Sequence, residues 1–153
     1  MKWKNLLLVS ILFLSVSSRA EFHLGTMAGM QITKAPHSNT SSGLAWNIRT
    51  SYYFRLVSDF LIGPTIVLDL RDVAHKFPFT TLGAAIRYGK KDFFDVGGGY
   101  FFERQFIYGG FSVFSEIGTR LDSFFGISFF VIYHFQQQTS QTLRAGPMLT
   151  FTF

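Results

Sequence analysis

Leu44-Ala45-Trp46-Asn47-Ile48-Arg49-Thr50-Ser51-Tyr52-Tyr53-Phe54 is the stretch on which the reading of this chain turns. Leu44, Trp46, Ile48, Thr50, Tyr52 and Phe54 share one parity, and Ala45, Asn47, Arg49 and Ser51 share the other. Successive side chains of a strand point to opposite faces. Extended, this segment therefore has one face of large apolar groups and one of small, polar and charged groups. Its length matches the roughly 9–11 residues that a tilted strand needs to cross hydrocarbon.

The same alternation recurs along the chain, and no stretch keeps a helical period. Phe22, Leu24, Thr26, Ala28, Met30 and Ile32 oppose His23, Gly25, Met27, Gly29, Gln31 and Thr33. Phe60, Ile62, Ile66, Leu68 and Leu70 oppose Gly63, Thr65, Asp69 and Arg71, and Leu82, Ala84, Ile86 and Tyr88 oppose Gly83, Ala85, Arg87 and Gly89. Phe94, Val96, Tyr100 and Phe102 oppose Asp95, Gly97, Gly99 and Glu103. Phe111, Val113 and Ile117 oppose Ser112, Glu116 and Gly118, with Phe114 on the polar side. Phe125, Ile127, Phe129, Val131 and Tyr133 oppose Gly126, Ser128 and His134, and parity also puts Phe124 and Phe130 on that polar face. Ala145, Leu149, Phe151 and Phe153 oppose Arg144, Gly146, Thr150 and Thr152. Eight strands are expected. Arg55–Asp59, Lys90–Asp92 and Thr119–Asp122 read as short turns at one end. Lys34–Ser42, Arg71–Pro78, Glu103–Phe106 and Gln136–Thr142 read as connections at the other, the first and last polar and longer than those turns.

The first twenty residues read differently. Lys2 and Lys4 precede an apolar run, Leu6 to Val16, and Ser18-Arg19-Ala20 places small residues at the −3 and −1 positions of a cleavage site. This is the pattern of a secretory signal peptide. The apolar run is too short for a helix across about 30 Å of hydrocarbon, and no cysteine follows it for a lipid anchor. Residues 1–20 are expected to be removed, leaving 21–153 as a single barrel domain. Three of the 14 Lys and Arg lie in that leader, so 11 remain against 9 Asp and Glu, an excess too mild to argue for nucleic acid, and no nucleic-acid partner is expected. With no cysteine the chain has neither disulfide staples nor a thiolate site.

Period two alone does not separate a membrane barrel from a soluble ligand-binding one. Residue size on each face does. An eight-stranded interior just holds ordinary side chains, so the Phe, Leu, Ile and Trp face does not fit inside, whereas the Gly, Ser, Thr and charged face does. A soluble barrel would carry its charges outside; here they share the face of the glycines. The 20 Phe in 153 residues suit a bilayer better than a small aqueous core. Tyr52, Tyr88 and Phe153 fall at the expected periplasmic ends, and Trp46, Tyr100 and Tyr133 near the outer ends, as interfacial girdles do.

The chain ends Leu149-Thr150-Phe151-Thr152-Phe153. A terminal Phe after an alternating strand resembles the C-terminal assembly signal of bacterial outer-membrane proteins, carried here by Leu149, Phe151 and Phe153. With eight strands and a leader, the chain is similar to the small OmpA/OmpX type of barrel. The resemblance implies an eight-stranded antiparallel up-and-down transmembrane β-barrel in the outer membrane, both termini in the periplasm. It also implies outer-membrane lipid as surroundings, with the barrel-assembly machinery and periplasmic chaperones as partners during biogenesis.

Inward parity collects the charges Arg49, Asp69, Arg71, Arg87, Asp95, Glu103, Glu116 and Arg144, together with His134. A turn centred on Lys91 sets Arg87 across from Asp95, and an in-phase register brings Glu116 beside Asp95. Two carboxylates next to one arginine are expected as a lower cluster, with Asp69, Arg71, Glu103, Arg144 and His134 as an upper one. Their simplest role is a structural plug, since buried charges persist when paired; a gate or narrow ion path is the alternative. An enzyme acting on lipid A is a further alternative, because some eight-stranded outer-membrane barrels are deacylases or acyltransferases. The deacylases carry a His-x-Ser pair near the outer rim, whereas this chain has His134-Phe135-Gln136. Ser128 and Ser140 are the serines weighed as nucleophiles, with Glu103 and Glu116 as acids, and no spacing demands a triad. His37 and His75 are single loop histidines, and Gly97-Gly98-Gly99 opens no helix, so it is not a phosphate loop. No metal or cofactor is expected. The function expected from the sequence is a monomeric structural or surface-interaction barrel with a polar, plugged lumen and no catalysis.

Overall fold

The structure, a computed structural model, describes residues 20–34, 39–70, 79–103, 108–136 and 141–153. Eight strands follow one another: β1 (Ala20–Lys34), β2 (Ser41–Val57), β3 (Phe60–Asp69), β4 (Phe79–Tyr88), β5 (Asp92–Glu103), β6 (Tyr108–Arg120), β7 (Phe125–Gln136) and β8 (Gln141–Thr152). Each pairs antiparallel with its chain neighbour, and β8 returns to β1, closing the barrel. Closure removes the free edges that an open sheet leaves unpaired. Apart from Ala20, which opens β1, the expected leader lies outside the described residues.

The register fixes the geometry of the wall. Hydrogen-bonded partners lead from Leu24 to Thr50, Ile66, Leu82, Tyr100, Phe111, Phe135 and Gln141, and re-enter β1 at Lys34. The circuit climbs from residue 24 to residue 34, an offset of 34 − 24 = 10 residues. That offset over eight strands tilts them by about 40° from the barrel axis. The β1–β8 ladder passes from Met27↔Met148 to Met30↔Ala145 without pairs between, beside Pro147, which has no N–H to offer.

Short turns close one end. Gly89 sits between β4 and β5 at φ 98°, a left-handed conformation that glycine adopts without a Cβ penalty. Between β6 and β7, the Asp122 carboxylate accepts hydrogen bonds from the Phe124 and Phe125 amides at 2.7 and 2.6 Å. These two donors hold the exposed Asp122 carboxyl below its ordinary pKa.

Phe124 departs from its expected place on the inner face. It belongs to that turn, is 45 % exposed, and packs on Phe151 and Phe153 at ring distances of 5.3 and 4.8 Å. Alternation holds only where the backbone is extended, and the ladder starts one residue later, at Phe125.

The core of this molecule is its lumen. Met27, Tyr53, Leu61, Val67, Phe114, Phe130, Ile132 and Met148 are buried there, alongside Arg49, Arg87 and Arg144. The wall outside carries the exposed apolar residues, from Leu44 at 76 % to Ile62 at 36 %, while Arg87 and Asp95 are fully buried. Water-soluble domains sort residues the opposite way.

Candidate functional site: the lumen charge network

The lower cluster forms where β2, β4, β5 and β6 face one another. Arg87 and Asp95 are direct cross-strand partners, as are Asp95 and Glu116. Arg87 holds Asp95 with a two-pronged contact, Nε to Oδ1 and Nη2 to Oδ2, both 2.8 Å. Such a fork is the strongest geometry available to this pair. Arg49 reaches across from β2: its Nη1 lies 2.9 Å from Asp95 Oδ2 and also pairs with Glu116 Oε2. Two guanidinium groups therefore face two carboxylates, rather than the single arginine expected. The second one comes from the strand tilt, which lifts Arg49 to the height of Glu116 on the far wall.

Tyr53 and His23 complete this cluster and were missing from the expected charge set. The Tyr53 hydroxyl donates to Asp95 Oδ2 at 2.7 Å and accepts from Arg49 Nη2 at 2.5 Å. His23 Nε2 is 3.4 Å from Glu116 Oε1. Arg87 lies over the rings of Tyr53 and Phe93 at 4.6 and 4.2 Å, and Arg49 over Phe114 at 4.9 Å, where the ring faces favour a cation. Tyr53 has the parity of Arg49 and Ser51, and this was the signal available in the sequence.

The upper cluster joins β1, β3, β6, β7 and β8. Arg144 pairs with Asp69 at 2.5 Å and donates from Nε to Gln31 Oε1 at 3.1 Å. His134 has Arg144 Nη1 at 3.4 Å from its Nε2, and Ser112 Oγ at 2.8 Å from its Nδ1. Thr81 lies 3.2 Å beyond Ser112. Arg71 and the side chain of Glu103 lie outside the described residues, as do His37, His75 and Ser140.

Among the described serines it is Ser112, not Ser128, that stands beside His134, as its direct cross-strand partner. The contact is not arranged for nucleophilic attack. A guanidinium only donates, so the neutral ring accepts at Nε2 from Arg144 and carries its proton on Nδ1. Nδ1–H then donates to Ser112 Oγ, whereas a general base must accept the serine's proton. Both residues are also buried inside the wall, away from the lipid face. Among the described residues, no three or more His, Asp or Glu side chains group as metal ligands would.

A third group, not foreseen, sits at the turn end. Glu21 bridges Arg55 at 2.7 Å and Arg120, tying β1 to β2 and β6. At the same end Phe153 pairs with Phe22 through both backbone bonds, N to O distances of 3.1 and 2.9 Å, and their rings lie 5.9 Å apart. Phe151 contacts Phe125 at 5.7 Å, and Leu149 is exposed on the outer wall. The three residues of the expected assembly signal thus line the outward side of the β1–β8 closure.

No protein-family model matches the chain, and no curated protein matches it in sequence. Solved structures do match in shape. The attachment invasion locus protein Ail of Yersinia pestis superposes with a TM-score of 0.63 at 8 % identity, covering 88 % of this chain and 99 % of Ail. Neisserial surface protein A superposes with a TM-score of 0.56 at 10 % identity, covering 86 % of this chain and 97 % of that one. Ail in complex with the heparin analogue sucrose octasulfate gives 0.57 at 8 % identity. At these identities the likeness concerns the fold: this chain has the closed eight-stranded antiparallel architecture of small outer-membrane barrels.

Proposed function

We propose that this protein spans the bacterial outer membrane as a monomeric barrel with a plugged lumen, and that it presents its outer connections as an interaction surface without catalysing a reaction. One observation carries the membrane assignment: large apolar side chains cover the outer wall while the charges are paired inside. Between water-filled compartments this distribution is costly, and in hydrocarbon it is the favourable one. A cleaved leader at residues 1–20 delivers the chain to the periplasm in this reading, and Leu149, Phe151 and Phe153 hand the last strand to the assembly machinery, with periplasmic chaperones holding it beforehand. Attachment is the role named for Ail, and it supports the surface-interaction part of the proposal.

The absence of cysteine gives a direct test of orientation. Thr40 stands between β1 and β2, and Lys91 in the turn between β4 and β5; both are exposed. A membrane-impermeant maleimide applied to intact cells is expected to label Thr40→Cys, and to reach Lys91→Cys only after permeabilisation. Equal labelling of both in intact cells contradicts the arrangement. Attachment is scored by retention of expressing cells on a host-cell monolayer; retention no greater than that of non-expressing cells removes it. Lipid A is expected to keep the same mass spectrum whether or not the protein is expressed, and a new acylation state would reinstate the enzyme.

A further inference from the structure

Over most of the lumen's section the polar residues fall into two groups, linked on the β2–β3 side by Asn47, which stands between Arg49 and its cross-strand partner Asp69. On the common axis set by the ten-residue offset, Met27, Val67, Phe114, Phe130 and Ile132 lie above Arg49, Asp95 and Glu116 and below Asp69, Ser112 and Arg144. Met148 stands opposite Met27 in the ladder and joins the same buried cluster. These side chains are 0–3 % exposed. Bare backbone gives them room: a Cβ at Gly97 would lie 2.3 Å from Phe114 Cζ, and one at Gly25 would lie 2.4 Å from Met148 Sδ. Phe114 and Met148 thus fill the places of side chains that β5 and β1 lack.

Polar atoms without protein partners stand on both sides of this layer. Neither amide atom of Asn47, at its upper edge, has a hydrogen-bond partner, and below it His23 Nδ1 has none. Buried polar atoms of this kind recruit ordered water, whereas a dry apolar gap does not hold it.

We propose that the Met27–Phe114–Phe130–Ile132–Met148 layer is the permeability seal of the lumen, dividing it into two hydrated compartments, and that the ion pairs brace the wall without forming the barrier. The inference rests on the plugged-lumen reading and names where the plug lies. The lower cluster is a poor barrier, because Arg49, Tyr53, Asp95 and Arg87 form an unbroken chain of hydrogen-bonding groups that water can join. The side chains of the apolar layer offer no such groups, and hydrophobic constrictions exclude ions by remaining dewetted.

The test uses the full-length protein reconstituted in liposomes, with proton and potassium flux as readouts and heat-modifiable migration confirming a closed barrel in each sample. Phe114→Ala with Phe130→Ala is expected to raise flux about tenfold or more over wild type by wetting the constriction. Arg49→Ala with Glu116→Ala, which removes comparable bulk from the charge cluster, is expected to leave flux at the wild-type level. A silent apolar-layer variant, or a conducting charge variant, overturns the assignment of the seal. Conduction by the wild type overturns the plugged lumen itself. Should the double Phe variant fail to close, water-to-protein magnetisation transfer in the wild type decides the matter: transfer to the Asn47 amide and the His23 ring with none to the Met27 and Met148 methyls is expected, and transfer to both methyls overturns the seal.

Discussion

At the scale of single residues, the lumen is an exercise in charge matching. Each carboxylate of the lower cluster faces a guanidinium, and removing one partner strands another charge in a buried site. Asp95→Ala leaves both Arg87 and Arg49 short of a counter-charge and is expected to lower stability by about 3–5 kcal/mol, measured by denaturant unfolding in lipid vesicles. Arg87→Leu combined with Asp95→Leu keeps Arg49 with Glu116 and is expected to recover most of that loss. A double variant as unstable as the single one would show that the pair contributes more than charge balance. Close packing at glycines gives a second pair of outcomes. Gly25→Ala meets only the flexible Met148 side chain, so its cost of about 1–3 kcal/mol is expected to be relieved by Met148→Val. Gly97→Ala also meets the Ala84 carbonyl oxygen at 2.4 Å, a backbone atom that cannot move aside, and Phe114→Leu is expected to relieve it only in part. Parity in the sequence was enough to find Arg49, Arg87, Asp95 and Glu116. It did not reveal that Arg49 joins them, because the meeting depends on strand tilt, which no local pattern records. Ser112 was passed over for the same reason: its place beside His134 is a matter of β6–β7 register.

At the scale of strands and turns, alternation carried nearly all of the information. All eight strands and their inward faces follow from period two, because each strand is buried on one side and in contact with another medium on the other. Legibility fails where the chain stops being extended. Phe124 obeys the parity of β7 on paper, yet it lies in a turn organised by Asp122. The Asp122 carboxyl is depressed below its ordinary 3.8 by two backbone donors. A depressed folded-state value means the contribution to the turn is present above the ordinary pKa and is lost as pH falls through the lowered one. Carboxyl-carbon shifts are expected to show Asp122 titrating below 3.8, and a midpoint at or above that value would remove the capping role. Gly89→Ala forces a side chain into positive φ and is expected to cost about 1 kcal/mol, read from the same unfolding transition, whereas an unchanged midpoint would mean the turn relaxes freely.

At the scale of the whole molecule, the register that builds the lumen also sorts the outer wall. Phe22, Tyr52, Phe60, Tyr88, Phe94, Phe151 and Phe153 lie toward the short turns, and Trp46, Tyr100, Phe111, Tyr133 and Phe135 toward the opposite end. Smaller outward residues such as Ala28, Thr50, Ala84 and Ala145 run between them. Two aromatic belts around an apolar waist match the two interfaces and the interior of a bilayer. The most direct test of a membrane-spanning closed barrel is electrophoretic migration with and without boiling. The full chain is expressed, outer membranes are isolated, and the protein is run on a detergent gel. The account predicts recovery in the outer-membrane fraction and a mobility that changes on boiling, as the detergent-resistant barrel opens. Soluble recovery from the periplasm with one mobility in both lanes would contradict it, and would mean that the apolar wall faces something other than lipid.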